Sequence, residues 1–212
     1  MRLVSIVLAQ CLVAAGVSAS AEEKALWNGK DLTGWKQVGP GQFVVENGLL
    51  KTTGGMGLLY WTGGKVGNSV IRVVYKNEKK ESNAGVFIRI PEAPTEPWMP
   101  VNKGYEVQID DAQDDYHVTG VLYSLTKAKA RPGKPGEWNT LEITLDGPRT
   151  RVTVNGELVT DYTEGEAVPE KKADYEPDRG PRPSEGYFGL QNHNDKDVVF
   201  FKEVTLRPLA KK

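Results

Sequence analysis

The sequence predicts an all-β domain, a sandwich or barrel of about ten short strands. Three observations lead there. Apolar and polar residues alternate in a series of short runs. Two Asn-Gly dipeptides sit between such runs, the strongest short hairpin signal because both residues tolerate positive φ. Finally, 23 Gly and 13 Pro in 212 residues favour turns, and no stretch keeps a helical period long enough for a stable helix. Lys and Arg number 27 against 28 Asp and Glu, a net charge of −1. That balance lacks the basic field of a nucleic-acid binder, so no such partner is expected.

The N-terminal segment reads apart from the domain. Arg2 precedes residues 3–17, which are apolar except for Ser5 and Gln10, and Val17-Ser18-Ala19-Ser20-Ala21 supplies small residues for cleavage. This is the pattern of a secretory signal peptide over residues 1–21. The apolar run is too short for a membrane span. The mature chain is expected to begin at Ser20 or Glu22 and to be exported to the periplasm or beyond. The single cysteine, Cys11, lies in the leader, and Gln10 stands where a lipoprotein signal needs a small residue. The mature domain, residues 22–212, therefore depends on its core rather than on disulfides.

The strands follow in order. Phe43-Val44-Val45-Glu46 and Leu49-Leu50-Lys51-Thr52 flank Asn47-Gly48 as a hairpin. Residues 70–76 alternate, with Ile71, Val73 and Tyr75 on one face. Further strands are expected over 84–90, 104–110, 120–124, 138–145, 187–192 and 198–206. A second hairpin folds Val152-Thr153-Val154 against Leu158-Val159-Thr160 around Asn155-Gly156. Residues 91–103 and the four-proline stretch 164–185 read as long loops, and Lys211-Lys212 as a frayed tail. Trp138, after a Pro-Gly turn, is expected to anchor the core. Asp110-Asp111, Asp114-Asp115 and His117 read as a solvated acidic loop.

Three strands carry chemistry on one parity. In 104–110, Tyr105, Val107 and Ile109 share a face, leaving Glu106, Gln108 and Asp110 on the other. In 84–90, Val86, Ile88 and Ile90 oppose Gly85, Phe87 and Arg89. In 186–193, Phe188, Leu190 and Asn192 oppose Tyr187, Gly189, Gln191 and His193. An Arg, carboxylates, amides and a His on half-buried strands suggest a lined cleft. Trp98, in a loop between Pro97 and Pro100, suits either a sugar-stacking platform or a loop plug.

Ordinary glycosidase chemistry does not suit this row. Glu106 and Asp110 lie four residues apart, about 13 Å along a strand. A retaining carboxylate pair needs about 5–5.5 Å and an inverting pair about 6.5–9.5 Å. The row also differs from the Glu-x-Asp-x-x-Glu of family 16 glycoside hydrolases, having Gln108 and Asp111 at the last two positions.

Several segments in order carry a family resemblance. They are Leu26-Trp27-Asn28-Gly29-Lys30-Asp31-Leu32-Thr33-Gly34-Trp35, Ser82-Asn83-Ala84-Gly85-Val86-Phe87-Ile88-Arg89, Tyr105-Glu106-Val107-Gln108-Ile109-Asp110 and Thr119-Gly120-Val121-Leu122-Tyr123. Gly136-Glu137-Trp138-Asn139-Thr140, Val154-Asn155-Gly156-Glu157-Leu158-Val159 and Gly189-Leu190-Gln191-Asn192-His193 follow. The chain resembles the 3-keto-disaccharide hydrolase domain family from about residue 26 to 209. It departs at Phe201-Lys202-Glu203-Val204, where the family usually has Arg-Asn, and in its long proline-rich insert before Gly186.

The resemblance implies a concanavalin-like jelly-roll β-sandwich of two antiparallel sheets and a small carbohydrate as the partner. It also implies cleavage of 3-keto-glycosides by removal of the C2 proton, elimination of the C1 substituent and addition of water. Such a site needs a base, an electrophile and an acid. Glu106 or His193 is expected as the base and Arg89 as the enolate stabiliser, with Gln108, Asp110, Gln191 and Trp98 binding the sugar. No cofactor is expected, although Glu106, Asp110 and His193 offer ligands for a divalent metal. A non-catalytic sugar-binding module, or an ordinary family 16-like glycosidase, is the alternative, because fold does not fix function. Edge strands make dimerisation feasible.

Overall fold

The computed structural model describes residues 22–210. The expected signal peptide over 1–21 and the Lys211-Lys212 tail therefore lie outside the described residues. The strands in chain order are β1 (Lys24–Ala25), β2 (Trp35–Val38), β3 (Gln42–Glu46), β4 (Leu49–Thr53) and β5 (Gly57–Trp61). Next come β6 (Ser69–Asn77), β7 (Ala84–Ile90), β8 (Tyr105–Ile109), β9 (Asn139–Asp146) and β10 (Arg149–Val154). Then come β11 (Glu157–Thr163), β12 (Tyr187–Asn192) and β13 (Val199–Pro208).

They form two antiparallel sheets. One runs β11-β10-β9-β6-β13-β4-β3, with β1 also paired to β13; the other runs β2-β5-β12-β7-β8. The main core lies between them. Ile71, Val73, Tyr75, Val152 and Phe201 of the large sheet meet Val86, Ile88, Val107, Ile109, Phe188 and Leu190 of the small one. Both expected hairpins form. Asn47 and Gly48 have φ of 52° and 77°, and Asn155 and Gly156 have 52° and 83°, as a two-residue turn with the twist of paired strands requires.

The structure departs from the sequence expectations in several places. Residues 120–124 form no strand. They follow β8 as an irregular partner, with Gly120 N donating to Gln108 O and Tyr123 N to Glu106 O. Ser124 closes the segment at φ 62°. The short apolar β5 lies outside the expected strands, as do β1 and β2. The loop 91–103 contains a single helical turn, α1 (Met99–Lys103). Its Met99 and Val101 cover Phe87, Leu58, Tyr60 and Ile90 on the outer face of the small sheet as a second apolar cluster. Trp138 is exposed rather than a core anchor, with Lys76 Nζ 5.2 Å and Lys202 Nζ 5.7 Å from its ring centre. Position 138 precedes β9, so its side chain falls on the outer face.

Candidate active site

The outer face of the small sheet is half apolar and half polar. The apolar half is the cluster under α1. The polar half is set by register. Gln191 of β12 faces Gly85 of β7, which faces Gln108 of β8; in the next row Gly189 faces Phe87, which faces Glu106. These side chains share one face because alternation holds through these stretches of the three strands.

Here lies a cavity of about 320 Å³. Glu106, Gln108, Gln191, His193, Asn83 and Tyr123 form its polar lining. Met56, Val101, Trp98 and Tyr175 complete it. Trp98 and Tyr175 are 52% and 66% exposed, so both rings are free to meet a ligand.

Glu106 is held tightly. A Cβ at Gly85 would stand 2.7 Å from its Oε1 and 2.8 Å from its Cγ, so glycine is what leaves room for the carboxylate. Gln108, with its amide nitrogen turned inward, donates to Glu106 Oε1 at 3.0 Å and to Ala84 O at 3.1 Å. Burial pushes the Glu106 carboxyl up to about 7, opposed by the charge of His193 and a hydrogen bond from Gln191. A carboxylate so placed changes protonation near neutral pH, as a general base should.

His193 begins the loop from β12 to β13. Its Nδ1 lies 2.8 Å from Asp197 Oδ2. The Asp197 side chain is nearly buried, while half of the imidazole remains open to the cavity. Asn194 Nδ2 donates to the same Asp197 oxygen at 2.5 Å. The loop is pinned from β4, where Thr52 Oγ1 donates to Asp197 O at 2.9 Å and accepts from Val199 N at 2.8 Å. The Asp197 hydrogen bond raises the His193 pKa, and the charges of Asp197, Glu106 and Asp110 act in the same direction. With Nδ1–H turned to Asp197, Nε2 is the free ring nitrogen. Tyr123 is a third functional group; burial and the charge of Glu106 push its phenol up to about 12, so it remains a neutral donor.

Of the seven residues singled out from sequence, the cavity brings together Glu106, Gln108, Gln191, His193 and Trp98. It does not include Asp110, which follows the end of β8. Asp110 Oδ1 accepts from Ala112 N at 2.9 Å and Oδ2 from Gln113 Nε2 at 3.0 Å. Asp110 is only 2% exposed, so the acidic loop is partly interior rather than solvated. Among the described residues no group of three or more His, Cys, Asp or Glu side chains is placed to hold a metal ion. His117 Nδ1 donates to Asp114 Oδ1 at 2.8 Å, and the ring packs edge-on against Tyr123.

Arg89 is a correction. It sits at φ 54° in β7, where the pairing with β12 shifts between Tyr187 and Gly189. The bulge inverts the alternation, so Ile88 faces the main core and Ile90 the outer cluster. Arg89 turns away from the cavity and is 1% exposed. It donates from Nε to Thr150 Oγ1 (3.1 Å), from Nη1 to Pro183 O (3.0 Å), and from Nη2 to Gly147 O (2.9 Å) and Arg149 O (3.1 Å). Gly186 lets the bulge form, because a Cβ there would stand 2.5 Å from Arg89 C. Arg89 thus fastens the proline-rich insert to the large sheet. Arg182 fastens it to Gly104 O and Asn102 O.

Sequence reasoning missed Asp197, Tyr123, Asn83 and Tyr175. Asn83 has the parity of Gly85 and Phe87, so alternation could have found it. Tyr175 lies in the insert, where no periodicity shows its direction.

No curated protein matches the chain significantly. Among solved structures it is similar to a candidate glycosyl hydrolase from Parabacteroides distasonis, with a TM-score of 0.69 and 23% identity over 89% of this chain and 94% of that one. It is also similar to a protein of galectin-like fold from Bacillus subtilis, with a TM-score of 0.63 and 10% identity over 92% and 98% of the two chains. The carbohydrate-binding module CBM66 from Bacillus subtilis matches with a TM-score of 0.55 and 17% identity over 82% and 95%. At these identities the likeness shows the fold alone, a jelly-roll sandwich. The sequence model of the 3-keto-alpha-glucoside-1,2-lyase-like domain matches residues 22–207. By this match over nearly the whole described chain, the protein belongs to the 3-keto-alpha-glucoside-1,2-lyase-like domain family.

Proposed function

We propose that this protein is an exported enzyme that cleaves 3-keto-glycosides by elimination across C1 and C2. The observation that carries the reading is the pairing of a buried carboxyl poised near pH 7, Glu106, with an imidazole held by Asp197 in one cavity. A ketone at C3 acidifies the C2 proton. The Glu106 carboxylate takes that proton, and the C2–H electrons form the enolate with C3. Tyr123 Oη–H and protonated His193 Nε2–H are the donors for the developing oxyanion and the departing oxygen. The enolate then collapses to re-form the C3 carbonyl, the C1=C2 double bond forms and the C1–O bond breaks. His193 gives its proton to the leaving alkoxide. Water adding back to C1 yields the free 3-keto sugar. This scheme assigns base and acid separately and leaves Arg89 a structural role.

Trp98 and Tyr175 are exposed aromatic residues of the cavity lining, and an aromatic ring face suits a pyranose. They would serve a binding module equally well, and the carbohydrate-binding neighbour CBM66 gives that second reading its support. One experiment separates the two. A methyl 3-keto-glucoside deuterated at C2 is incubated with the protein, and methanol release and C2 exchange with solvent are followed. The enzyme reading expects release from the keto substrate, none from its unoxidised parent, and loss of deuterium with turnover. Binding without release or exchange would leave a binding module. Equal cleavage of the unoxidised glycoside would return the protein to ordinary glycosidases.

A further inference from the structure

Buried polar atoms in native proteins nearly always have partners. Two amide oxygens at the cavity break that rule. Gln191 is 3% exposed and its Oε1 has no protein partner; Asn83 Oδ1 is likewise enclosed and unpaired. Both residues line the cavity beside Glu106.

Register explains their placement. Gln191 faces Gly85 and Asn192 faces Ala84 at the end of the ladder between β12 and β7, and Asn83 is the residue just before β7. Gln191 and Asn83 therefore come near each other at that end, with no side chain at Gly85 between them. The Gln191 amide also favours the ionised form of Glu106, as a donating nitrogen turned toward that carboxyl would, and its oxygen is the unpaired end.

We infer that Asn83 and Gln191 form a hydroxyl-reading pair, each offering an acceptor oxygen to a donor hydroxyl of the bound sugar. The inference rests on the carbohydrate reading above and deepens it. A carbonyl or ring oxygen cannot donate, so neither can satisfy this pair. The oxidised carbon is therefore matched to the donors, His193 and Tyr123, rather than to these two amide oxygens. The pair thus sets which way round the ring binds, and Asn83 becomes a specificity-determining residue. Sites built to hydrogen-bond a hydroxyl discriminate strongly against analogues lacking it, because their own polar groups are then left unpaired.

The test is calorimetric binding of methyl glucopyranoside and its monodeoxy analogues, unoxidised so that no turnover intervenes. The wild-type protein should bind at least one monodeoxy analogue about 10- to 100-fold more weakly than the parent. Asn83→Ala should reduce that ratio to a few-fold, and Asn83→Asp, which keeps the acceptor, should preserve it. Circular dichroism establishes that each variant is folded, and the Asp variant reports even where the Ala variant is not. Equal binding of all the sugars, loss of selectivity in Asn83→Asp, retention of it in folded Asn83→Ala, or no binding of any of them would overturn the inference. Turnover of 3-keto-glycosides is measured separately. Selective binding without turnover would sustain the hydroxyl-reading pair and sink the elimination reading; turnover without selectivity would do the reverse.

Discussion

Replacing Glu106 by Gln should make the protein more stable at alkaline pH while removing its activity. Glu106 is 8% exposed, and its pKa rises from the ordinary 4.5 to about 7, chiefly because burial disfavours the charged form. The sign follows from linkage. Below pH 4.5 both folded and unfolded chains carry the proton, and the group contributes its full share of stability. As pH rises toward 7 the unfolded state ionises first, and stability is lost. Above about 7 the folded state holds a buried carboxylate, at a cost of up to about 3 kcal/mol for a shift of this size. The Glu106→Gln variant would carry no such cost, though its new amide faces the donor from Gln191, which trims the gain to about 2 kcal/mol. For a domain of this length that corresponds to roughly 4–8 °C in Tm. Thermal unfolding of both proteins followed by circular dichroism from pH 4.5 to 8.5 reads the effect. The two Tm values should lie close together at pH 4.5 and diverge above pH 7, with the variant higher. A difference that does not change with pH, or a wild type that gains on the variant as pH rises, would refute the burial of this carboxyl. Over the same range, wild-type kcat/KM should climb as Glu106 ionises toward about pH 7 and fall again on the alkaline side as His193 loses its proton, and Glu106→Gln should lose about 10²- to 10⁴-fold.

Asp197→Asn removes the principal cause of the raised His193 pKa, so the ring should titrate at lower pH, closer to the ordinary 6.5. An NMR titration can follow it against His117, the only other histidine, and the alkaline limb of kcat/KM should move down with it; an unmoved midpoint excludes the pairing. Gly85→Ala places a methyl 2.7 Å from Glu106 Oε1. It should cost roughly 10- to 100-fold in kcat/KM by displacing the carboxylate, with wild-type kinetics showing that the space is not needed. Arg89→Met leaves Thr150 Oγ1 and three backbone carbonyls without their donor. Each acceptor left unpaired in the interior costs about 1–3 kcal/mol, so stability should fall by at least about 3 kcal/mol, and protease should open the insert around Pro183. A loss of kcat with unchanged Tm would instead restore Arg89 to the catalytic machinery.

The sequence by itself determined an all-β domain, a sandwich or barrel, because strand alternation and Asn-Gly turns are local signals, and the family resemblance of its ordered segments narrowed this to the jelly-roll sandwich. Alternation also placed Glu106, Gln108, Gln191 and His193 on one face, since an error of one position would have sent each polar row into the core. Its failure at Arg89 has a definite cause. One residue at positive φ within a bulge reverses parity, and a bulge depends on the partner strand and on Gly186 rather than on the run itself. Trp138 and Asp110 were misjudged for a related reason: each lies just outside the end of its strand, where alternation no longer constrains direction. What only the tertiary structure decided is the company that Glu106 and His193 keep. Asp197 reaches His193 through a loop pinned by Thr52, which lies far away in the chain. Tyr175 reaches the cavity on an insert tied down by Arg89 and Arg182. The raised pKa of Glu106 arises from burial, and burial belongs to the assembled sheet face and its covering loops, not to any segment of the chain.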